Sequence, residues 1–361
     1  CPLSYIIFYG KVVRMKEIKI LCVYDGYITK DIMSGMKELE KFGAHITMIN
    51  DDQIKNVGDV TNRMLLLEQK GIAEAPTCRT LLENCSDKEI LVVHCTSINK
   101  EILEACSKLQ AVVVLRGGIE NVDSSELAKR QIPLMNASLR SADAVSDAAV
   151  GMMIAENKNI ARSHHYMKEG RWVKSYINQR YIRNMNKCTV GLIGYGAIGS
   201  RVAKKLKGFE SQILVYDPFV SKEQIEKDGV KVVELDQLLE TSDFVSVHLR
   251  LSDKTKKFMG KREFAQMKKT AYFINTARAG LVDTEALTDA LKNREIGGAA
   301  IDVFDQEPLP KGHPYLNLEN VTLTSHLAGT SSDTPVVSVE IGVQKLKDYL
   351  TRMAEEDNEE D

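Results

Sequence analysis

The sequence predicts an α/β protein made of two doubly wound parallel-sheet domains, one inserted into the other. Three observations carry this. Short apolar runs rich in Val and Ile alternate with helical patterns, and strands alternating with helices form right-handed βαβ units around a parallel sheet. The alternation restarts after a long helical stretch in mid-chain. A glycine-rich strand–turn–helix pattern, VGLIGYGAIG from Val190, stands at that restart rather than near the beginning. A chain of 361 residues has the length for two cores.

Taken in order, the first lobe runs from Glu17 to about Asn136. Its strands are expected in IKILCVYD, HITMIN, EILVVHC, AVVVLRG and IPLMN, with helix-like segments such as KDIMSGMKELEKFG and NKEILEACSKL between them. A single long helix is expected from Ala142 to Lys168. Seven strands follow, in TVGLIG, QILVYD, VKVV, DFVSVHL, AYFINT, GAAIDVF and VTLTS, and then a helix from about Asp333 to Leu350. The expected boundaries are 16–140 for the first part of a substrate-binding lobe, 141–324 for the inserted domain, and 325–352 for the helix that rejoins the first lobe. A cleft between the lobes is the natural place for an active site. Residues 1–15, with Met15 a candidate start, and residues 353–361, with their acidic AEEDNEED run, are expected to be disordered extensions.

Composition excludes several functions. A formal net charge of −2 gives no reason to expect nucleic acid or an anionic membrane surface as partner. No apolar run is long enough to span a bilayer. The seven cysteines have no C-x-x-C spacing. They are expected to be reduced thiols of a cytoplasmic protein, with no metal site.

The glycine pattern fits G-x-G-x-x-G at Gly194, Gly196 and Gly199, directly after a strand and at the head of a helix. Gly194 allows the tight turn, Gly196 lets the backbone approach a pyrophosphate, and Gly199 lets the helix pack on the strand. Ala197 and Ile198 open that helix. Asp217 ends the next strand, placed to accept from adenosine ribose hydroxyls and to repel a 2′-phosphate, so NAD is favoured over NADP. A methyltransferase could use a similar turn, but the residues downstream argue against it.

Three polar residues each follow a predicted strand of the inserted domain: Arg278 after AYFINTA, Glu307 after AAIDVFDQ and His326 after VTLTS. Ligands of an open parallel sheet bind at the carboxyl ends of its strands. The set suits hydride transfer to a carbonyl. Arg278 can hold a 2-oxo acid through its planar fork of donors. His326 can give and take back the carbonyl proton, and Glu307 can orient the imidazole and favour its charged form. The remaining histidines have weaker claims, although His248 ends a strand and is expected to border the cofactor.

In LIGYGAIG, YFINTARAGLVDTEAL, GGAAIDVFDQEPL and VTLTSHLAG the chain resembles the D-isomer-specific 2-hydroxyacid dehydrogenases, which include glyoxylate/hydroxypyruvate reductases and phosphoglycerate dehydrogenases. The resemblance spans about Lys16 to Leu350. It implies a Rossmann NAD-binding domain inserted into a flavodoxin-like substrate domain, with Arg278, Glu307 and His326 catalytic. It also places Asp302 against the nicotinamide amide, Thr276 and Ala277 beside the ring, and Gly117 and Gly118 at the substrate carboxylate. A small 2-oxo or 2-hydroxy acid as partner, and a homodimer formed through the Ala142–Lys168 helix, are implied too.

Some positions depart from the family pattern: Ala279 follows the Arg, and Arg250 stands where Pro is usual. VVHCTSI lacks the arginines of phosphoglycerate-specific members, leaving His94 as the one candidate cation there, which weakens a phosphorylated substrate. Two other readings share this frame. Formate dehydrogenases pair their His with Gln, against Glu307. An NAD-sensing protein like the C-terminal-binding corepressors retains the same three residues and is separated from an enzyme by turnover.

Overall fold

The computed structural model describes residues 5–8, 11–14 and 17–359. The chain forms two compact units, one drawn from residues up to Arg140 and from Ser332 onward, the other Ser141–Ser331.

The first unit contains β1 (Tyr5–Phe8), β2 (Lys11–Arg14), β3 (Ile18–Tyr24), α1 (Lys30–Met33), β4 (Ala44–Asn50), α2 (Val57–Lys70), α3 (Arg79–Asn84), β5 (Ile90–Val93), α4 (Lys100–Ala105), β6 (Ala111–Val114), α5 (Ser124–Lys129) and β7 (Leu134–Asn136). Five strands form an all-parallel sheet in the order β4-β3-β5-β6-β7. That is the flavodoxin-like order, reversing direction between β3 and β5. β5 and β6 are buried at every position, as strands covered by helices on both faces must be. The segment expected as one helix over KDIMSGMKELEKFG is α-helical only in α1. It continues as a 3₁₀ helix to Phe42 and stops at Gly43, whose φ of 79° suits glycine.

The second unit contains α6 (Ala142–Asn157), α7 (Ile160–Lys168), β8 (Thr189–Ile193), α8 (Ala197–Lys207), β9 (Gln212–Tyr216), α9 (Lys222–Glu226), β10 (Lys231–Val232), α10 (Leu235–Thr241), β11 (Phe244–Val247), α11 (Lys261–Gln266), β12 (Tyr272–Asn275), α12 (Thr284–Lys292), β13 (Gly298–Ile301) and β14 (Val321–Leu323). Its seven strands are all parallel in the order β10-β9-β8-β11-β12-β13-β14. This is the Rossmann order with one further strand, and it reverses between β8 and β11.

α13 (Thr334–Glu359) returns to the first unit. Val339, Val343, Leu346, Leu350 and Ala354 recur at helical spacing and join the core formed by Ile20, Cys22, Met33, Met36 and Leu39.

Three expectations need correction. Part of the 1–15 extension is ordered: β1 pairs antiparallel with β2, Tyr5 opposite Arg14, while residues 1–4, 9, 10, 15 and 16 lie outside the described residues. The 353–361 extension is helical through Glu359, because burial of Ala354 carries α13 beyond Leu350; residues 360 and 361 lie outside the described residues. The helix expected over Ala142–Lys168 is two helices. Asn159 between them adopts the left-handed conformation at φ 56°, which Asn tolerates better than most residues. The buried Asn178 amide donates to the Glu156 and Asn157 carbonyls at 3.4 and 3.2 Å, and its Oδ1 accepts from Asn159 at 2.7 Å. These bonds satisfy backbone groups that the end of α6 leaves open.

Candidate active site

The residues singled out in the second unit all follow strands at one edge of its sheet. Gly194, Gly196 and Gly199 lie between β8 and the first turn of α8. Gly194 has φ 102°, and a Cβ there would stand 2.8 Å from the His248 carbonyl carbon. A Cβ on Gly199 would stand 2.1 Å from the Gly194 oxygen. At Gly196 a Cβ would meet nothing within 4 Å. Gly194 and Gly199 are therefore needed by the protein itself, whereas Gly196 keeps clear the space at the α8 N-terminus, where Ala197 and Ile198 begin the helix. A helix N-terminus without a side-chain cap and with its positive end toward open space is suited to an anion such as a diphosphate.

Asp217 follows β9. Its Oδ2 accepts from the Tyr195 N–H at 2.6 Å, and its Oδ1 from the Phe219 and Val220 N–H groups at 2.7 and 3.0 Å. The carboxylate is fixed beside the glycine turn, where its charge suits ribose hydroxyls. His248 follows β11. Ser246 Oγ lies 3.0 Å from its Nε2, and its Nδ1 is buried without a partner among the described residues. Burial lowers its pKa to about 4. Thr276, after β12, also buries a hydroxyl without a partner. Orphaned polar groups at the edge where a dinucleotide would bind fit a cofactor that supplies their partners.

At the far end of this edge His326 Nδ1 lies 2.8 Å from Glu307 Oε2. Glu307 Oε1 accepts from the Phe304 N–H at 3.0 Å. Burial alone would raise the Glu307 pKa, but the His326 and Phe304 hydrogen bonds and the nearby His326 and Arg278 charges hold it below the ordinary range. The carboxylate is thus ionised at neutral pH. The imidazole donates through Nδ1, and its Nε2 has no hydrogen-bond partner among the described residues. Arg278, after β12, is bonded to neither. Its Nη1 donates to the Ala277 carbonyl at 2.6 Å, and the side chain is exposed.

Two buried residues at strand ends hold these turns. Asn275 Oδ1 accepts from the Ala277 N–H at 3.0 Å while its Nδ2 donates to the Arg278 carbonyl at 3.1 Å. Asp302 accepts from the Leu327 and Ala328 N–H groups at 2.8 and 3.0 Å and from Thr324 Oγ1 at 2.5 Å. Asn275 and Thr324 were not anticipated. The signal at Asn275 was a polar residue closing an otherwise apolar strand.

In the first unit, Gly117 and Gly118 follow β6. Gly117 is exposed, its carbonyl accepts from Asn136 Nδ2 at 2.6 Å, and a Cβ there would meet open space. At Gly118 a Cβ would stand 2.2 Å from the Glu120 carboxylate, which is paired with Arg116 at 3.2 Å. The reading of His94 as the one cation in its region is corrected. His94 is buried, with Nδ1 2.8 Å from Asp25 Oδ2 and Nε2 3.2 Å from Arg140 Nη1. A guanidinium can only donate, so Nε2 accepts and the imidazole is neutral. Burial, followed by the Arg140 and Arg116 charges, outweighs Asp25 and lowers the His94 pKa. The cations near it are Arg140 and Arg116.

A doubly wound parallel sheet with a glycine turn at a helix N-terminus, a carboxylate fixed beside that turn and a histidine–glutamate pair along the same edge is the arrangement of a dinucleotide-dependent oxidoreductase. The family model for the D-isomer specific 2-hydroxyacid dehydrogenase NAD binding domain matches residues 150–328. A glyoxylate reductase of Korarchaeum cryptofilum is 36% identical over 75% of this chain and 82% of its own length. A D-3-phosphoglycerate dehydrogenase of Methanocaldococcus jannaschii is 34% identical over 79% of this chain and 55% of its own length. Among solved structures, the NAD-complexed D-isomer specific 2-hydroxyacid dehydrogenase of Lactobacillus delbrueckii ssp. bulgaricus shares the fold, with a TM-score of 0.69 at 21% identity over 93% of this chain and 97% of that one. The chain belongs to the D-isomer specific 2-hydroxyacid dehydrogenase family, and is an NAD-dependent oxidoreductase.

Proposed function

We propose that the protein reduces a small 2-oxo acid to the D-2-hydroxy acid, with His326 as general acid and base. The observation that carries this is the His326–Glu307 pair: Nδ1 is engaged at 2.8 Å and Nε2 is left open at the strand ends. Bound NADH supplies the hydride. His326 gives its Nε2 proton to the carbonyl oxygen in reduction and takes it back from the hydroxyl in oxidation. Glu307, held ionised, orients the ring and balances the imidazolium charge. Arg278 turns its free N–H groups to the substrate's carboxylate and carbonyl oxygen. Gly196, Ala197, Ile198 and Asp217 would hold the cofactor's diphosphate and ribose, and His248, Thr276 and Ala277 would border its nicotinamide end.

A homodimer is part of this proposal. Ile160, Met167 and Trp172 are 54%, 49% and 74% exposed in and just after α7, apolar surface that suits a second copy. Sedimentation as a monomer at micromolar concentration would remove it. A reducing, cytoplasmic compartment is supported by six buried free cysteines among the described residues.

The test follows NADH absorbance with glyoxylate, hydroxypyruvate, phosphohydroxypyruvate, pyruvate and branched 2-oxo acids. Turnover is expected with a small acid, and His326→Ala and Arg278→Ala should each lower it about 10²- to 10⁴-fold. Tight NADH binding without turnover of any acid would refute the 2-oxo acid reductase reading and favour an NAD-sensing role on the same fold.

A further inference from the structure

We infer that Asp302 and Thr324 form a clamp that positions His326, so that Asp302 acts on the reaction through the histidine's backbone. The inference rests on the reading of His326 as the proton donor. His326 has φ 56°, in the left-handed region, which residues with a Cβ adopt uncommonly. The surroundings hold it there. Thr324 lies just after β14, and its N–H donates to the Ile301 carbonyl at 3.1 Å, tying the turn to β13. Asp302, 1% exposed at the end of β13, then engages both sides of the histidine. Its Oδ1 accepts from Thr324 Oγ1, two residues before, and from the Leu327 N–H just after; its Oδ2 accepts from the Ala328 N–H. His326 is thus the unclamped residue inside a clamped turn, its side chain directed to Glu307 at 2.8 Å.

All three bonds to Asp302 need an acceptor. In Asp302→Asn one oxygen becomes an NH₂ group facing an N–H or hydroxyl donor, and the turn loses a fixed point. Thr324→Val removes one bond at nearly constant shape, and Thr324→Ser restores the hydroxyl. The competing role for Asp302 is direct contact with the nicotinamide amide, which makes its loss a loss of cofactor affinity.

The experiment measures kcat and KM for the 2-oxo acid and the Kd for NADH, by fluorescence titration, in these three variants, in His326→Ala and in His326→Ala/Thr324→Val. A displaced catalytic group costs up to about a hundredfold in rate. The clamp predicts kcat down about a hundredfold in Asp302→Asn and about tenfold in Thr324→Val, Thr324→Ser near the parent, and NADH Kd and KM within about threefold throughout. In the His326→Ala background Thr324→Val should add nothing, because the residue it positions is gone. Intact kcat in Thr324→Val, or a more than tenfold weaker NADH Kd with unchanged kcat in Asp302→Asn, would overturn the clamp while leaving His326 as proton donor. Intact turnover in His326→Ala would instead overturn the reading of His326 itself.

Discussion

Each unit carries a histidine–carboxylate pair just beyond the ends of its parallel strands, with Nδ1 2.8 Å from the acid in both. His94 and Asp25 have side chains 1% and 0% exposed; His326 and Glu307 are 47% and 37% exposed. The second ring nitrogen of His94 receives Arg140, and Tyr27 stacks on the ring at 5.1 Å. The second nitrogen of His326 has no hydrogen-bond partner among the described residues. The same pair is a structural lock where both nitrogens are committed and water is shut out. It is equipped for proton transfer where one nitrogen faces outward.

The largest effects should separate the pairs by readout. His94→Ala leaves the buried Asp25 carboxylate without its side-chain donor, a loss of about 3 kcal/mol, measurable as a lower denaturant midpoint. His326→Ala, at an exposed site, should keep that midpoint within about 0.5 kcal/mol while removing turnover. If both variants lose stability equally, the contrast fails.

A second comparison, smaller in effect, uses two glycines of one turn. Gly196→Ala puts a methyl into open space, so it should weaken NADH binding about tenfold with an unchanged midpoint. Gly199→Ala meets the Gly194 oxygen and should cost about 1–3 kcal/mol of stability. Calorimetry and NADH titration of the two variants check this.

The smallest effect is on pH. The His94 pKa lies below its ordinary 6.5 in the folded chain, so between that folded value and 6.5 the unfolded chain binds more protons. Its contribution is present above pH 6.5 and is lost as pH falls through the folded value. Asp25, held below 3.8 by the His94 hydrogen bond and by the Ile28 and Tyr27 N–H groups despite burial, acts in the same direction at lower pH. The Tm of His94→Asn should therefore fall less steeply than the parent's between pH 7 and 5. Parallel curves would show that the ring charges freely in place.

Much of the fold was legible because strands buried on both faces are unbroken Val- and Ile-rich runs, and glycines and strand-final polar residues mark where loops begin. The break at Asn159 was not, since the apolar pattern continues through it and the cause, Asn178, lies nineteen residues on. The reach of α13 was hidden because the buried position beyond Leu350 is a single alanine, Ala354, at the head of a glutamate run. At the candidate site, residue type and strand position brought Glu307 and His326 forward. The Asp302 and Asn275 bonds stayed out of view, being made to particular N–H and carbonyl groups of turns whose course residue type does not record. Arg140 escaped because its tie to His94 joins positions 46 apart.

The return of α13 has a consequence for the order of folding. Val339, Val343, Leu346, Leu350 and Ala354 complete the apolar face of the first sheet, yet they are made after the whole inserted domain. During synthesis the dinucleotide domain, continuous in sequence, can complete its core before α13 emerges, whereas the other unit has no α13 to cover Ile20, Met33 and Met36 until then. A truncation before Val339 is expected to leave that apolar surface open to wrong contacts.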